Sequence, residues 1–270
     1  DIKYLLNESL RYALFDGRRY MTYRDFQIAK PEHEMGLRSP IKNLSKEAKE
    51  RLAYHEAGHA GAGRIFMPYH RISRITIIRQ GAAFGHVYHY PAREAYQGLN
   101  TSEQYRHRLC VSVAGKAAEM EFCGLQNQTL GVGGDFFNIR MLLRQMALAG
   151  MLGPLGGAAS LRFSMFGVTQ EIPPDMAQAM EESFQEILLM TRKALREHSQ
   201  VVRDLVALLM EREELLADEV REFFDRYGMM TPDPTLIKDG EEVRLLPDEV
   251  MRPPSSTPTQ TMAHKSSQEN

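Results

Sequence analysis

The sequence predicts a mainly α-helical fold with a small β-hairpin or sheet and a C-terminal helical bundle. Three observations lead to this prediction. Apolar residues recur at helical spacing in several segments between residues 1 and 228. β-branched and aromatic residues are concentrated in two short stretches, 71–81 and 85–91. Finally, 43% of the 270 residues are hydrophobic, which is enough to fill a core.

The N-terminal region is predicted to be a small unit of two helices. An amphipathic pattern over residues 1–16 stops at Gly17, and a second helix starts at Thr22. Asp25 follows Thr22 at capping-box spacing, which supports that start. Pro31 is expected to end the second helix. This gives a first domain at 1–30 and a linker at 31–44.

The next segment is predicted to be a long helix followed by a hairpin. Ser45 is a plausible N-cap, and the helix is expected to end before Pro68. The two β-rich stretches that follow are joined through Gly81 and Gly85, which allow a turn. The pattern therefore predicts an antiparallel pair directly after the long helix.

The rest of the chain is predicted to be helical up to residue 228. Helices are expected at 102–123 and at 135–149, the second after the glycine-rich turn "LGVGG", and three more lie within 175–228. We assign residues 45–228 to one domain. Residues 229–270 are rich in Pro, Ser and Thr, so a disordered tail is expected there.

Charge and composition exclude several classes of function. The net charge of −2 provides no field for binding nucleic acid. Cys110 and Cys123 are too few for a disulfide scaffold, so a reducing compartment is expected. The longest uncharged run, 145–161, is broken by Pro and Gly, and no membrane span is expected. Because a helical pattern is already under way at Asp1, we expect a piece of a longer polypeptide.

The stretch "AYHEAGHAGA" in the long helix carries the pattern His-Glu-x-x-His. On a helix, His55 and His59 lie one turn apart on one face, where both rings can reach a Zn²⁺ ion. Glu56 can then accept a proton from a water molecule that attacks a substrate. The alternative is an accidental histidine pair on an exposed helix. The many Gly and Ala residues around the pair argue against it, since they let another element pack closely.

A third metal ligand has to come from elsewhere in the chain. The residues alone do not choose among five candidates: His86, His89, Glu119, Glu121 and Asp135. Asp135 follows a glycine-rich turn at a predicted helix start, where an aspartate can also act as an ordinary N-cap.

Six stretches of the chain together resemble the peptidase domain of the FtsH family of membrane-anchored AAA proteases. They keep that family's order and spacing, and the likeness covers almost all of residues 1–228. Residues 1–29 are similar to the last two helices of the family's ATPase lid. The six stretches are "YHEAGHA", "ISRITIIRQGAAFGHVYHYP", "VSVAGKAAEMEFCG", "LGVGGDFFNIRMLLRQM", "LGPLG" and "LLMEREELLADEV".

The resemblance implies a zincin-like helix and a set of site residues. It makes His55, His59 and Asp135 the zinc ligands and Glu56 the catalytic base. Glu119 becomes a residue that orients a ligand histidine. The implied activity is zinc-dependent cleavage of unfolded or membrane polypeptides, within a homo-hexamer or a hetero-hexamer of related subunits.

ATP and Mg²⁺ would act only through an ATPase domain that this sequence lacks, since it contains no Gly-x-x-x-x-Gly-Lys-Ser/Thr loop. The resemblance places the parent protein on the cytoplasmic side of a membrane, anchored by segments absent here, with this part itself soluble. His86 and His89 are interpreted as a solvated strand face. The alternative function is a catalytically inactive assembly module, for which a closed four-ligand metal site would be evidence.

Overall fold

The fold is that of a computed structural model, which describes most of the chain. The described residues are 2–41, 43–81, 83–91, 100–129, 133–152, 161–164, 167–170, 174–230, 235–238 and 241–244.

The N-terminal unit consists of helices α1 (Ile2–Phe15) and α2 (Tyr23–Met35). Asp25 caps α2 by accepting a hydrogen bond of 2.7 Å from the backbone N–H of Thr22. The prediction that Pro31 ends this helix is wrong, because Pro31 lies inside α2. Proline removes one backbone donor, but its fixed φ suits a helix, and α2 continues for one more turn. The helix ends at Gly36, whose φ of 96° is unfavourable for other residues.

Helix α3 (Lys46–Phe66) is the central helix of the fold and carries the His-Glu-x-x-His pattern. It begins as predicted, since the Ser45 side chain accepts a hydrogen bond of 3.2 Å from the Ala48 N–H, and it ends before Pro68. The second half of α3 is almost fully buried. It packs against helix α4 (Ser102–Ala118), which follows the hairpin in the chain.

The predicted hairpin is confirmed as strands β1 (His70–Thr76) and β2 (His86–Pro91), which pair antiparallel. A third strand, β5 (Glu214–Leu216), pairs with the other side of β1. The strand order β2-β1-β5 leaves β2 at the edge, and no described strand pairs with its outer side. Part of its hydrogen-bonding capacity is thus open to another chain.

The predicted helices after the hairpin are also present. Helix α4 continues into a π-helical turn (Glu119–Cys123), and the helices that follow are α5 (Gly133–Leu148), α6 (Pro174–Glu197), α7 (Ser199–Arg212) and α8 (Ala217–Asp225). The mainly α fold class with a small sheet is therefore confirmed. Two further hairpins are β3 (Leu161–Ser164) with β4 (Gly167–Gln170) and β6 (Thr235–Lys238) with β7 (Glu241–Arg244).

The β6–β7 hairpin lies in the segment for which a disordered tail is predicted, so that prediction does not hold for these residues. The composition of the whole segment does not reveal the pairing of two short strands within it. Residues 245–270 of the predicted tail, most of "LGPLG" and residues 130–132 of "LGVGG" lie outside the described residues. In the part of the chain described, no helix has the length and apolarity needed to span a bilayer.

One hydrophobic core joins α3, α4, the three-stranded sheet and the C-terminal helices. Helix α6 packs on α3 at Gly61, where a Cβ would be in ordinary van der Waals contact with Leu195 Cδ2 at 3.5 Å. Leu195 is fully buried, whereas Leu189 on the same helix is 62% exposed.

We predict that Leu195→Ala lowers the free energy of unfolding by about 2–5 kcal/mol, because it leaves a cavity between α6 and α3. The matched substitution Leu189→Ala should change it by less than about 0.5 kcal/mol. Urea denaturation of both variants measures the difference. Equal losses in the two would contradict the packing of α6 described here.

Candidate metal centre

His55 and His59 project from the buried face of α3 towards the same point. Their Nε2 atoms lie 3.1 Å apart, and both side chains are almost completely enclosed. The helical spacing of four residues produces this arrangement, as the sequence predicts.

Asp135, in the first turn of α5, completes a triangle with the two histidines. Its Oδ2 atom lies 3.2 Å from His55 Nε2 and 3.3 Å from His59 Nε2. Ligands held about 2.0–2.1 Å from a tetrahedral Zn²⁺ ion are separated by about 3.4 Å, close to all three sides. Among the described residues, these three form a group of potential metal ligands, with atoms within 4.8 Å of one another. Two imidazoles and one carboxylate leave a fourth zinc position for a water molecule.

The hydrogen bonds of the outer ring nitrogens determine what the inner nitrogens can do. His55 Nδ1 lies 2.8 Å from Glu119 Oε1, and His59 Nδ1 lies 2.8 Å from the Val111 carbonyl oxygen. A carbonyl and a carboxylate only accept hydrogen bonds, so both Nδ1 atoms carry the proton. The neutral rings then present lone pairs at Nε2, facing each other and Asp135. Three converging lone pairs require a cation between them, and this chemistry fits Zn²⁺.

The pKa values of His55 and Asp135 reflect the same need for a positive charge between the three ligands. Burial opposes a charge on His55, but hydrogen bonds to Asp135 and Glu119 outweigh burial and raise its pKa to about 10. Burial likewise acts to raise the pKa of Asp135, but hydrogen bonds to His55 and His59 hold it well below its usual value. Without metal, a proton on His55 therefore supplies the positive charge.

Glu56 lies next to this triangle and is 3% exposed. Burial raises its pKa to about 7, although the two histidines act to lower it. Gly85 comes so close that a Cβ there would lie 2.7 Å from Glu56 Oε1. Any other residue at position 85 would push the carboxylate away.

A glycine on α4 makes room for the His55 ring. A Cβ at Gly115 would lie 2.3 Å from His55 Cε1, closer than any real contact. On α3, a Cβ at Gly58 would lie 2.6 Å from the Ala114 carbonyl oxygen. Sequence reasoning identified the small residues on α3 but missed Gly115. The signal was present in "VSVAGKAAEM", where small residues recur at helical spacing on α4.

Glu119 is held in place from two sides. It accepts a hydrogen bond of 2.7 Å from the Thr129 backbone N–H at Oε2 and one of 3.1 Å from the Thr129 hydroxyl at Oε1. Glu119 is the first residue of the π-helical turn, and its Oε1 atom lies 2.8 Å from His55 Nδ1. This geometry fits a residue that orients a ligand. The role of Thr129 had no signal in the sequence.

The other candidate ligands do not join the triangle. Glu121 pairs with Arg192 at 3.2 Å and with Arg196 at 2.6 Å. His86 and His89 line the cleft beside the site and are half-buried, so the strand face interpreted as solvated is only partly so, and burial lowers the pKa of each to about 4. Strand alternation cannot reveal this, because the partial burial of β2 depends on elements distant in sequence. Within the described chain, a closed four-ligand site is not formed.

A cleft of about 720 Å³ lies in front of the site and is open to the surface. One wall is made by α3 and α4, and the other by β2 and the loop before it. The lining combines apolar side chains with the site itself: Leu44, Leu52, Phe84, Val87 and Val111 surround His55, Glu56, His59 and Asp135.

Comparisons with known proteins agree with this geometry. The sequence profile described as peptidase family M41 matches residues 42–223. The ATP-dependent zinc metalloprotease FtsH 2 of Salinibacter ruber (strain M8) is 28% identical over 236 residues, which is 82% of this chain and 33% of that protein. The ATP-dependent zinc metalloprotease FtsH of Synechococcus sp. (strain JA-2-3B'a(2-13)) is 30% identical over 266 residues, or 96% of this chain and 39% of that protein. This chain thus spans little more than a third of the length of these relatives.

We predict that Gly115→Ala weakens zinc binding about 10- to 100-fold, because the new methyl group displaces the His55 ring. Gly63→Ala is the matched control, since a Cβ there meets only Ile72 Cδ1 at 3.7 Å, an ordinary contact. Competition with a chromophoric chelator measures both affinities. Wild-type affinity in Gly115→Ala would show that the ring does not depend on this space.

In metal-free protein, the His55 ring should keep its proton up to about pH 10, while His89 should stay neutral down to about pH 4. The folded pKa of His55 lies above its unfolded value, so its contribution to stability is complete below about pH 6.5 and is lost as the pH rises through about 10. Asp135→Asn should lower the pKa of His55, because the charge that favours the protonated ring is removed. NMR titration of the imidazole signals after chelation measures these values. A His55 that titrates near pH 6.5 in wild type would contradict this account.

Proposed function

This chain belongs to peptidase family M41, and from that membership we propose that it is a zinc-dependent endopeptidase. The single observation that supports this most is the triangle of His55, His59 and Asp135 with Glu56 beside it. Metalloprotease activity needs both parts: ligands for a cation, and a base next to it that is not itself a ligand.

The metal ligands and Glu56 would have separate roles in peptide-bond hydrolysis. A zinc ion held by the triangle would supply a Lewis acid and lower the pKa of a water molecule to about 7. Glu56 would accept the proton of the attacking water and return it to the leaving amine. In the metal-free chain, burial raises the pKa of Glu56 to about 7, which favours uptake of a proton. A neighbouring dication would favour its ionised form.

We further propose that the substrate is an extended polypeptide lying along the outer edge of β2. This edge has no described strand partner, and β2 lines the cleft through His86, Val87 and His89. Backbone hydrogen bonds to a strand edge do not depend on substrate side chains, so recognition would be loose in sequence. Unfolded proteins would meet this requirement, because most extended segments of a folded chain are already paired within it.

The parent protein is proposed to be ATP-dependent, membrane-anchored and hexameric, and to act on the cytoplasmic side of a membrane. ATP dependence is supported by the names of the relatives, which are ATP-dependent zinc metalloproteases, and by their greater length. The membrane anchor and the ring, formed from one kind of subunit or from related ones, rest on the resemblance of the motifs to the FtsH family. Nucleic acid is not expected as a partner, given the net charge of −2.

The decisive variant is Glu56→Gln, which keeps the shape of the side chain but cannot act as a base. We predict that it binds zinc with the stoichiometry of wild type and cleaves an unfolded protein at least about 100-fold more slowly. His59→Ala, as a companion, should lose both zinc and cleavage. Metal analysis and cleavage of fluorescent casein measure these properties. Zinc bound in wild type without any cleavage, under conditions where the parent protein is active, would refute the enzymatic proposal.

A further inference from the structure

A chain of alternating charges joins the N-terminal helices to the wall of the cleft. It starts at Tyr12 of α1, whose hydroxyl hydrogen-bonds the Glu32 carboxylate on α2. Glu32 Oε1 lies 3.4 Å from Arg38 Nε, and Arg38 Nη1 lies 3.0 Å from Glu214 Oε2 on β5. Glu214 in turn accepts a hydrogen bond of 2.6 Å from Nε of Arg74 on β1.

The chain of contacts continues from Arg74 to the loop between β1 and β2. Arg74 Nη1 donates a hydrogen bond of 3.0 Å to the Gln80 side chain. The Gln80 amide donates one of 2.8 Å to the carbonyl oxygen of Gly36, just after α2, which closes a ring of contacts. Gln80 and Ala83 exchange two backbone hydrogen bonds, of 2.9 and 3.1 Å. Two residues after Ala83, Gly85 packs directly on the carboxylate of Glu56.

Helix α2 also touches β2 directly. Lys30 Nζ lies 4.7 Å from the centre of the Tyr88 ring and 3.4 Å from its hydroxyl oxygen, a cation–π contact combined with a weak hydrogen bond. Tyr88 is the register partner of Arg74. Helix α2 is therefore linked to both members of this register pair: directly to Tyr88 through Lys30, and to Arg74 through Glu32 by way of Arg38 and Glu214.

The members of this network are too well enclosed to be incidental surface ion pairs. Arg74 is 1% exposed and Gln80 is 1% exposed, so their polar atoms depend on these partners. Buried charges need their partners in fixed geometry, and a shift of one member leaves another unpaired. A displacement of α2 thus has to be followed by β1, β2 and the loop.

We propose that Lys30 and Glu32 are positioning residues for the substrate wall of the cleft, so that the N-terminal helices set how tightly β2 holds an extended polypeptide. This inference rests on the proposed function for the identity of the substrate. The coupling itself is a property of the fold and can be measured without catalysis. The zinc triangle, held by α3, α4 and α5, is outside the network, so its metal affinity is independent of α2.

The test uses Lys30, whose side chain is 38% exposed and therefore replaceable without loss of the fold. Lys30→Met should raise KM for an unfolded fluorescent casein about 2- to 30-fold, with kcat and zinc content within about twofold of wild type. Lys30→Arg keeps the charge over the Tyr88 ring and should restore KM. Glu32→Gln should resemble Lys30→Met, and Glu222→Gln, which removes the exposed ion pair with Arg226, should resemble wild type.

Hydrogen exchange provides the readout that does not need activity. In Lys30→Met and Glu32→Gln, the amides of residues 83–90 should exchange faster, and those of residues 55–62 on α3 should be unchanged. Equal acceleration in both segments would mean a general loss of stability and would overturn the proposal, as would wild-type KM and exchange in both variants. If wild type cleaves nothing but exchange changes as expected, the coupling stands and the proposed enzymatic function does not.

Discussion

The direction of two imidazole lone pairs is the constraint on which the rest of this structure depends. A histidine pair on a helix binds a metal only if each ring is rotated so that its unprotonated nitrogen faces the partner. Here the rotation is set by acceptors that both come from the segment around α4: the Val111 carbonyl oxygen and the Glu119 carboxylate. The metal centre is therefore a property of the contact between α3 and α4, and α3 alone could not form it.

This contact explains residues that local preference would not select. Glycine in a helix interior costs up to about 1 kcal/mol relative to alanine, yet Gly58 and Gly115 lie inside α3 and α4. At both positions a Cβ would overlap the facing helix or the His55 ring. Close approach of the two backbones brings the acceptors within hydrogen-bonding distance of the rings. Residues of low helical propensity therefore occur where the orientation of the ligands requires close packing. The stability of α3 then depends on its tertiary contacts.

The parts of the molecule that the sequence predicts well are those determined by neighbouring residues. The N-cap Ser45, the β1–β2 hairpin and the i, i+4 histidine pair all follow from short-range rules. The parts that it does not predict depend on distant contacts. Three residues at 214–216 form a strand only because β1 offers an edge, and they interrupt an otherwise helical pattern. Asp135 is 76 residues from His59, so only the folded chain brings it to the histidines, and residue types alone leave it equal to four other candidates.

The two walls of the cleft differ in what holds them in place. The α3–α4 wall is packed backbone against backbone around glycines, and such close packing does not deform gradually. Its rigidity suits ligands that have to stay within a few tenths of an ångström of a metal. The opposite wall consists of the edge strand β2 and the loop before it. Side-chain contacts, such as that of Lys30 with Tyr88, hold this wall in place. The outer edge of β2 has no described strand partner, so differences between polypeptides that pair with it would be accommodated at this edge and not on the wall that holds the metal ligands.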